Sequence, residues 1–210
     1  MDKGRGIEQR SFEIITSEMK NKEFKEWELP LVIRVIHATG DFDFEDNLRF
    51  HPDAVEAGIR ALNAGKNILV DVNMVSSGIS RTLLNRFGGD VICRISQVGE
   101  YAIKEGKTRA ESAVEEAVHE NIGIVAIGNA PTAMLKVMEL IDQGEFNPDL
   151  VIGVPVGFVS AVESKDILST KPYPFITSLG RKGGSPVAVA IINGILRLGE
   201  GYPFCQYNPV

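Results

Sequence analysis

Gly123-Ile124-Val125-Ala126-Ile127 is a short apolar run that ends in the small, polar segment Gly128-Asn129-Ala130-Pro131-Thr132. An apolar run of this length without polar alternation is typical of a strand buried on both faces of a parallel sheet. Residues 131–141 then show helical spacing of apolar side chains, and Gly144 follows them. A buried strand, a tight loop and a helix in succession indicate an α/β fold.

Five similar apolar runs predict further strands, at residues 31–36, 67–71, 91–94, 150–154 and 175–179. Segments with helical spacing are found at residues 52–64, 110–119 and 185–198, and an amphipathic helix is predicted for residues 7–20. Alternating strands and helices imply right-handed crossovers between parallel strands. We therefore expect a three-layer α/β sandwich with an added N-terminal helix, in a single domain of residues 1–210.

Composition limits the possible functions of the chain. Of its 210 residues, 44% are hydrophobic and 24% are charged, and the net charge of −6 argues against nucleic acid as a general partner. No apolar run approaches the length of a membrane span, and the N-terminus has no apolar signal core, so we expect a cytoplasmic protein. Cys93 and Cys205 are far apart in sequence, which supports neither a disulfide framework nor a zinc site.

His37 directly follows the predicted strand of residues 31–36 and opens the polar loop Ala38-Thr39-Gly40-Asp41. Because ligands of parallel sheets bind where the strands end, this position predicts an imidazole in the ligand crevice. A purely structural histidine, bonded to the loop backbone, is the alternative. No G-x-S-x-G elbow accompanies His37, and no second histidine or carboxylate shows metal-ligand spacing, so neither a serine hydrolase nor a metal site is indicated.

Two basic segments are candidates for binding an anion. Arg181 and Lys182 stand beside Gly183 and Gly184 ahead of a predicted helix, which favours a carboxylate or phosphate site. The glycines do not fit G-x-G-x-x-G, so this is not a dinucleotide signature. Gly106-Lys107-Thr108 resembles the end of a P-loop, but Tyr101 stands where the first glycine is required. Taken on spacing alone, Thr108 is better explained as a helix N-cap with solvated basic neighbours.

Taken in order, several segments resemble the precorrin-8X methylmutase family, including its cobalt-precorrin-8 branch. The matching stretches are Ser11-Phe12-Glu13-Ile14-Ile15, Arg34-Val35-Ile36-His37-Ala38-Thr39-Gly40-Asp41, Ile124 to Ala133, Gly153 to Val159 with Glu163-Ser164-Lys165, and Gly180-Arg181-Lys182-Gly183-Gly184-Ser185. From Ser11 to Ser185 they span nearly the whole chain in the family's order, and as a set they are specific to the family.

The resemblance implies a flavodoxin-like, mainly parallel sheet and a homodimer with its site near the subunit interface. It implies an isomerase of vitamin B12 biosynthesis, without a cofactor or a metal site of its own. The enzyme would move a methyl group between adjacent ring carbons of precorrin-8X or cobalt-precorrin-8, giving hydrogenobyrinate or cobyrinate. His37 matches the family's catalytic histidine, a proposed general acid.

Substrate-binding positions are expected where polar and basic residues match the family or end the predicted strands: Ser11, Thr39, Arg81, Thr108, Arg109, Asn129, Arg181, Gly183, Gly184 and Ser185. Arg109 is expected to reach a substrate in the partner subunit, and Arg81 lies in a more loosely matching segment. Since the substrate is a polycarboxylate and the chain is acidic, the pocket should be locally positive.

Two other functions are possible for the same sheet. A nucleotide-dependent oxidoreductase or phosphotransferase lacks its fingerprint here. A non-enzymatic carrier of corrinoid intermediates would have no need of a proton donor in the crevice.

Overall fold

In a computed structural model, the chain is described over residues 3–20, 23–99 and 106–201. Tyr101 and Cys205 lie outside the described residues. The helices are α1 (Lys3–Glu18), α2 (Leu29–Thr39), α3 (Phe44–Asn47), α4 (Ala54–Asn63), α5 (Asn73–Gly78), α6 (Arg81–Leu84), α7 (Arg109–Ala117), α8 (Pro131–Asp142), α9 (Ala161–Leu168) and α10 (Ser185–Gly199). The strands are β1 (Leu48–Phe50), β2 (Asn67–Val70), β3 (Val91–Ile92), β4 (Ile122–Ile127), β5 (Leu150–Gly153) and β6 (Phe175–Ser178).

The strands form one six-stranded sheet in the order β1-β6-β5-β4-β2-β3. All neighbouring pairs are parallel except β1 and β6, which run antiparallel with Leu48 opposite Ser178. Every residue of the central strand β4 is buried, and helix α8 follows it directly. The strand and helix predicted around residues 123–141 are therefore confirmed.

Side chains of the sheet alternate between two apolar cores. Residues such as Ile68, Ile124 and Ile152 pack with α1, α2, α4 and α10 in the larger core. Their chain neighbours Leu69, Val125 and Val151 pack with α7, α8 and α9 in the smaller one. Because successive residues of a strand point to opposite faces, helices cover both faces of the sheet.

The prediction of a strand at residues 31–36 is wrong, because these residues lie in helix α2. Five of the six are buried and only Arg34 is partly exposed, so α2 has almost no polar face from which a helical period could be detected. Pro30 in the first turn and Gly40 at the C-cap, with φ of 66°, are start and stop signals typical of a helix.

The packing of α2 against α10 nonetheless brings His37 to the edge of the sheet where the parallel strands end. A Cβ on Gly194, late in α10, would lie 2.3 Å from a Leu31 side-chain carbon, early in α2. Lys182, three residues before α10, contacts Asp41, two residues after α2, so the end of α2 lies beside the start of α10 and the two helices run in opposite directions. Ser185, at that start, follows the loop that leaves the carboxyl end of β6.

Sequence patterns did not predict β1, which has only three residues, or the short helices α3, α5 and α6. Since β1 runs antiparallel to β6, the segment of residues 40–47 between α2 and β1, which includes α3, lies at the carboxyl edge of the parallel strands. No helix in the described part of the chain is long and apolar enough to cross a membrane.

Candidate functional site

Polar residues at the carboxyl edge of the sheet form two groups. The histidine cluster, near β6 and β5, contains His37, Thr39, Arg181, Gly183, Gly184 and Ser185. The arginine cluster, near β2, β3 and β4, contains Asp71, Asn73, Thr108, Arg109, Asn129 and Thr132. Since β5 and β4 are neighbours in the sheet, the two clusters adjoin each other along this edge.

His37 lies in the last turn of α2 with an exposed side chain. Its ring meets the ring of Phe12 edge-on, with centroids 5.1 Å apart and an interplanar angle of 68°. Phe12 is only 2% exposed, and the Arg34 guanidinium lies 5.3 Å from the centroid of its ring. Among the described residues the imidazole nitrogens form no hydrogen bond, so the ring is held by packing and keeps both nitrogens for a ligand.

Ser11 precedes Phe12 in α1, so it lies next to the turn that supports the imidazole. Its hydroxyl donates to the Ile7 carbonyl at 2.9 Å, inside the helix. Thr39 closes α2: its hydroxyl donates to the Val35 carbonyl at 2.8 Å and accepts from the Asp41 N–H at 3.3 Å. Both hydroxyls are close to His37 in the chain, but in this structure they bond to the backbone.

Lys182 ties the two loops of the histidine cluster together. Its ammonium contacts carboxylate oxygens of Asp41 and Asp43, each at 2.6 Å. These contacts lower the pKa of Asp41 and raise that of Lys182. Because two carboxylates compensate the charge of Lys182, the uncompensated positive charge of this loop is that of Arg181, whose guanidinium lies 5.1 Å from the Phe158 ring centroid.

The loop of residues 180–184 is fixed against β5 by its backbone. The Gly184 N–H donates to the Val154 carbonyl at 2.8 Å, and the Gly157 N–H donates to the Arg181 carbonyl at 3.2 Å. A Cβ on Gly183 would lie 2.3 Å from the Val154 oxygen, so only glycine fits there. Helix α10 starts directly after this loop, and its first N–H groups have no intrahelical acceptor, which makes the start of α10 attractive to anions.

The two clusters meet between β4 and α10. A Cβ on Gly128 would lie 2.9 Å from the Ser185 Cα, so the glycine allows the end of β4 to approach the start of α10. The Ser185 side chain is 7% exposed at this junction.

Asp71 organises the loop after β4. Its side chain, 2% exposed, accepts hydrogen bonds from the N–H groups of Gly128, Asn129 and Ala130 at 3.1, 2.7 and 2.8 Å. Burial raises the pKa of Asp71, and the three N–H bonds act against this shift. The backbone donors of this loop therefore already bind an internal carboxylate. What the loop presents outward is the exposed Asn129 side chain.

Thr108 and Arg109 begin α7 at the same edge. Thr108 forms a capping box with Glu111, as the N-cap interpretation predicts, and its hydroxyl also lies 3.0 Å from that of Thr132 at the start of α8. Arg109 is exposed, and one of its nitrogens donates to the Ile95 carbonyl at 2.9 Å. This contact leaves most of the guanidinium donors available to a ligand.

Arg81 is not brought to the clusters. One of its nitrogens lies 3.5 Å from Asp90, the residue before β3, and another donates to Ser76 at 3.3 Å. These contacts of the guanidinium include no residue of either cluster.

A polar relay near β3 was not singled out from the sequence. The Cys93 thiol donates to the side-chain oxygen Oδ1 of Asn73 at 3.3 Å, and the side-chain NH₂ group of Asn73 donates to the Ser96 hydroxyl at 2.8 Å. Burial raises the pKa of the Cys93 thiol, which keeps it protonated as a donor. The described residues contain no group of three or more His, Cys, Asp or Glu side chains able to hold a metal ion.

The profile of the precorrin-8X methylmutase family matches residues 6–198. The chain belongs to this family. It is 47% identical to the cobalt-precorrin-8 methylmutase of Priestia megaterium, with 92% of this chain and 88% of that protein covered. It is 39% identical to the precorrin-8X methylmutase of Sinorhizobium sp., with 93% and 95% covered.

A crystal structure of precorrin-8X methylmutase from Thermus thermophilus matches with a TM-score of 0.87 and 42% identity, covering 94% of this chain and 97% of that one. Family membership makes the chain a methylmutase, an isomerase of cobalamin biosynthesis. Family membership thus favours the isomerase over the two alternatives considered from the sequence, a nucleotide-dependent oxidoreductase or phosphotransferase and a carrier of corrinoid intermediates.

Proposed function

We propose that the enzyme moves a methyl group between adjacent ring carbons of precorrin-8X or cobalt-precorrin-8, with His37 as the general acid. The observation that carries the assignment is the exposed His37 ring, packed on Phe12 at the carboxyl edge without a hydrogen bond to the described protein. An imidazolium there gives a proton to the macrocycle, and the methyl group migrates. The proton then returns to the imidazole nitrogen of His37. Atoms and charge balance, as an isomerisation requires.

The choice between metal-free and cobalt-loaded substrate is open to direct measurement. Relatives of similar identity carry both names, precorrin-8X methylmutase and cobalt-precorrin-8 methylmutase. Purified enzyme is incubated with each precursor separately and the absorption spectrum is followed over time. Turnover of one precursor assigns the substrate, and turnover of neither contradicts the proposed reaction.

Substrate carboxylates are expected to bind at both clusters. Arg181 and the start of α10 provide donors at the histidine cluster, and Arg109 provides them at the arginine cluster. Arg181 and Arg109 supply exposed positive charge despite the acidic net charge of the chain. A wide, flat polyanion fits two sets of donors on one edge better than a small ligand does.

Replacing Arg109 by Ala should raise the KM for the corrinoid about tenfold, with a smaller change in kcat. The reason is the loss of a charge-assisted hydrogen bond to a substrate carboxylate remote from the reacting carbons. Steady-state kinetics measure both constants. Arg60→Ala, an exposed arginine change on α4, is the matched control and should leave both unchanged. An unaltered KM in Arg109→Ala would remove this residue from the site.

We also infer a homodimer whose interface adjoins the histidine cluster. Val156, Phe158 and Val159 are 47%, 79% and 83% exposed in the loop between β5 and α9, and Met74 in α5 is 69% exposed. Large apolar side chains so exposed beside a ligand site favour cover by another protein surface. A second copy would also allow Arg109 of one subunit to reach substrate held by His37 of the other.

Val159→Asp is expected to shift the protein from dimer to monomer and to lower its activity, because a carboxylate would be buried in the interface. Light scattering coupled to size-exclusion chromatography measures the mass. Ile167→Asp, at a 44% exposed apolar position on α9, is the control. A dimer of unchanged stability in Val159→Asp would place the interface elsewhere.

The strand order supports a flavodoxin-like assignment for the parallel part of the sheet. Numbered along the chain from β2 to β6, the five parallel strands lie in the order 2-1-3-4-5. In such sheets ligands bind at the carboxyl edge, where the order reverses between β2 and β4. That point adjoins Asp71 and Asn129.

A further inference from the structure

Lys165, in the middle of α9, is completely buried, with 0% of its surface exposed. Its ammonium donates a hydrogen bond of 2.7 Å to the Lys182 carbonyl. Within residues 3–20, 23–99 and 106–201 this ammonium forms no ion pair, unlike the half-exposed Lys182, which contacts two carboxylates. Among the described residues, the hydrogen-bond acceptor of this buried ammonium is the backbone oxygen of Lys182.

Burying an ammonium without a carboxylate costs free energy, because the charge loses its hydration. The same burial lowers the pKa of Lys165 from 10.5 to about 8, so the native state disfavours the charged form that still predominates at pH 7. An apolar side chain of similar length would fill this space without that cost. Fold stability therefore does not explain a lysine at this position.

The Lys182 carbonyl connects the groups that line the histidine cluster. It lies between Arg181 and Gly183, and it also accepts a hydrogen bond of 3.0 Å from the Ser178 hydroxyl at the end of β6. From the same residue, the Lys182 side chain reaches Asp41 and Asp43, in the loop that follows His37. One buried ammonium therefore anchors a chain of contacts from α9 to the segment next to the imidazole.

We propose that Lys165 is a positioning residue for methyl migration, which fixes the loop of residues 180–184 through the Lys182 carbonyl and so sets the geometry of the substrate donors beside His37. This inference rests on the proposed role of that loop in substrate binding. Lys165 is covered by protein and does not itself touch the substrate. Its effect is on how the donors of the loop and the Asp41 segment are placed relative to each other.

The test compares variants of the full-length enzyme. Lys165→Met keeps the length of the side chain and removes the ammonium, and Lys165→Arg keeps a charged donor. Ser178→Ala removes the other donor to the same carbonyl without changing the charge. Lys25→Met is the matched control, because exposed Lys25 also donates to a backbone carbonyl, that of Pro52 at 3.3 Å, but at the opposite edge of the sheet.

In Lys165→Met we expect the KM for the corrinoid to rise roughly tenfold or more, with a smaller change in kcat and no fall in Tm. Amide hydrogen exchange of residues 179–184, measured without substrate, should become faster in this variant. Lys165→Arg should recover part of the loss, and Ser178→Ala should act in the same direction more weakly. Lys25→Met should match the wild type in every measurement.

Unchanged loop exchange and unchanged KM in Lys165→Met would overturn the proposal. A fall in Tm with the KM of the folded enzyme unchanged would also overturn it, since it would show a purely structural role. Arg181→Ala separates this from a failure of the proposed loop function. If Arg181→Ala leaves KM unchanged while Lys165→Met accelerates loop exchange, the loop does not bind substrate. If Arg181→Ala raises KM while Lys165→Met changes neither KM nor loop exchange, only the proposed role of Lys165 fails.

Discussion

Replacing His37 by Ala is expected to lower kcat for methyl migration by roughly 10²–10⁴-fold, the usual contribution of a positioned general acid. The KM should change much less, because the carboxylate donors of both clusters remain. The ring packs on Phe12 and forms no hydrogen bond to the described protein, so its removal leaves no buried polar group without a partner. The variant should therefore fold normally, and a lost rate would report on chemistry.

His119→Ala is the matched control for this prediction. His119 is also exposed, but it lies after α7 and before β4, at the amino edge of the sheet. Its replacement should leave kcat and KM unchanged. Single-turnover kinetics on both variants separate chemistry from product release. Near-normal methyl migration in His37→Ala would contradict the assignment of His37 as general acid.

The sequence allowed the parallel sheet to be predicted almost completely, because strands such as β4 and β5 are short apolar runs followed by polar loops. It misled at α2 because full burial removes the polar stripe that distinguishes a helix from a buried strand. It gave no signal for β1, whose three residues, Leu48 to Phe50, pair with β6 only through tertiary contacts. His37 was still placed at the correct edge, because the end of α2 lies there too.

Candidate site residues were predictable where a basic or polar side chain stands in a loop at the end of a strand, as for Arg181 and Asn129. Arg81 was a weaker prediction, and its ion pair with Asp90 depends on packing that sequence spacing does not encode. The roles of Lys165 and Asp71 could not be predicted from the sequence, since nothing in the neighbouring residues distinguishes a buried lysine or aspartate from a solvated one. Both depend on which backbone groups the folded chain brings within hydrogen-bond distance.

Asp71→Ala is expected to lower the free energy of unfolding by about 3 kcal/mol. The change leaves three loop N–H groups without their acceptor, and each buried unsatisfied donor costs ~1–3 kcal/mol before water enters the site. Urea denaturation at pH 7 measures the loss. Asp90→Ala, at an 80% exposed side chain just before β3, is the control and should stay within about 0.5 kcal/mol of the wild type.

Asp71→Asn tests which form of the carboxyl group the loop requires. Gly128 donates to one carboxylate oxygen, and Asn129 and Ala130 donate to the other, so all three contacts need an acceptor. An asparagine has only one acceptor oxygen, and its NH₂ group would face at least one of these N–H groups. We therefore expect the free energy of unfolding to fall by about 2 kcal/mol. Wild-type stability in Asp71→Asn would instead mean that the loop does not require a second acceptor oxygen at this position.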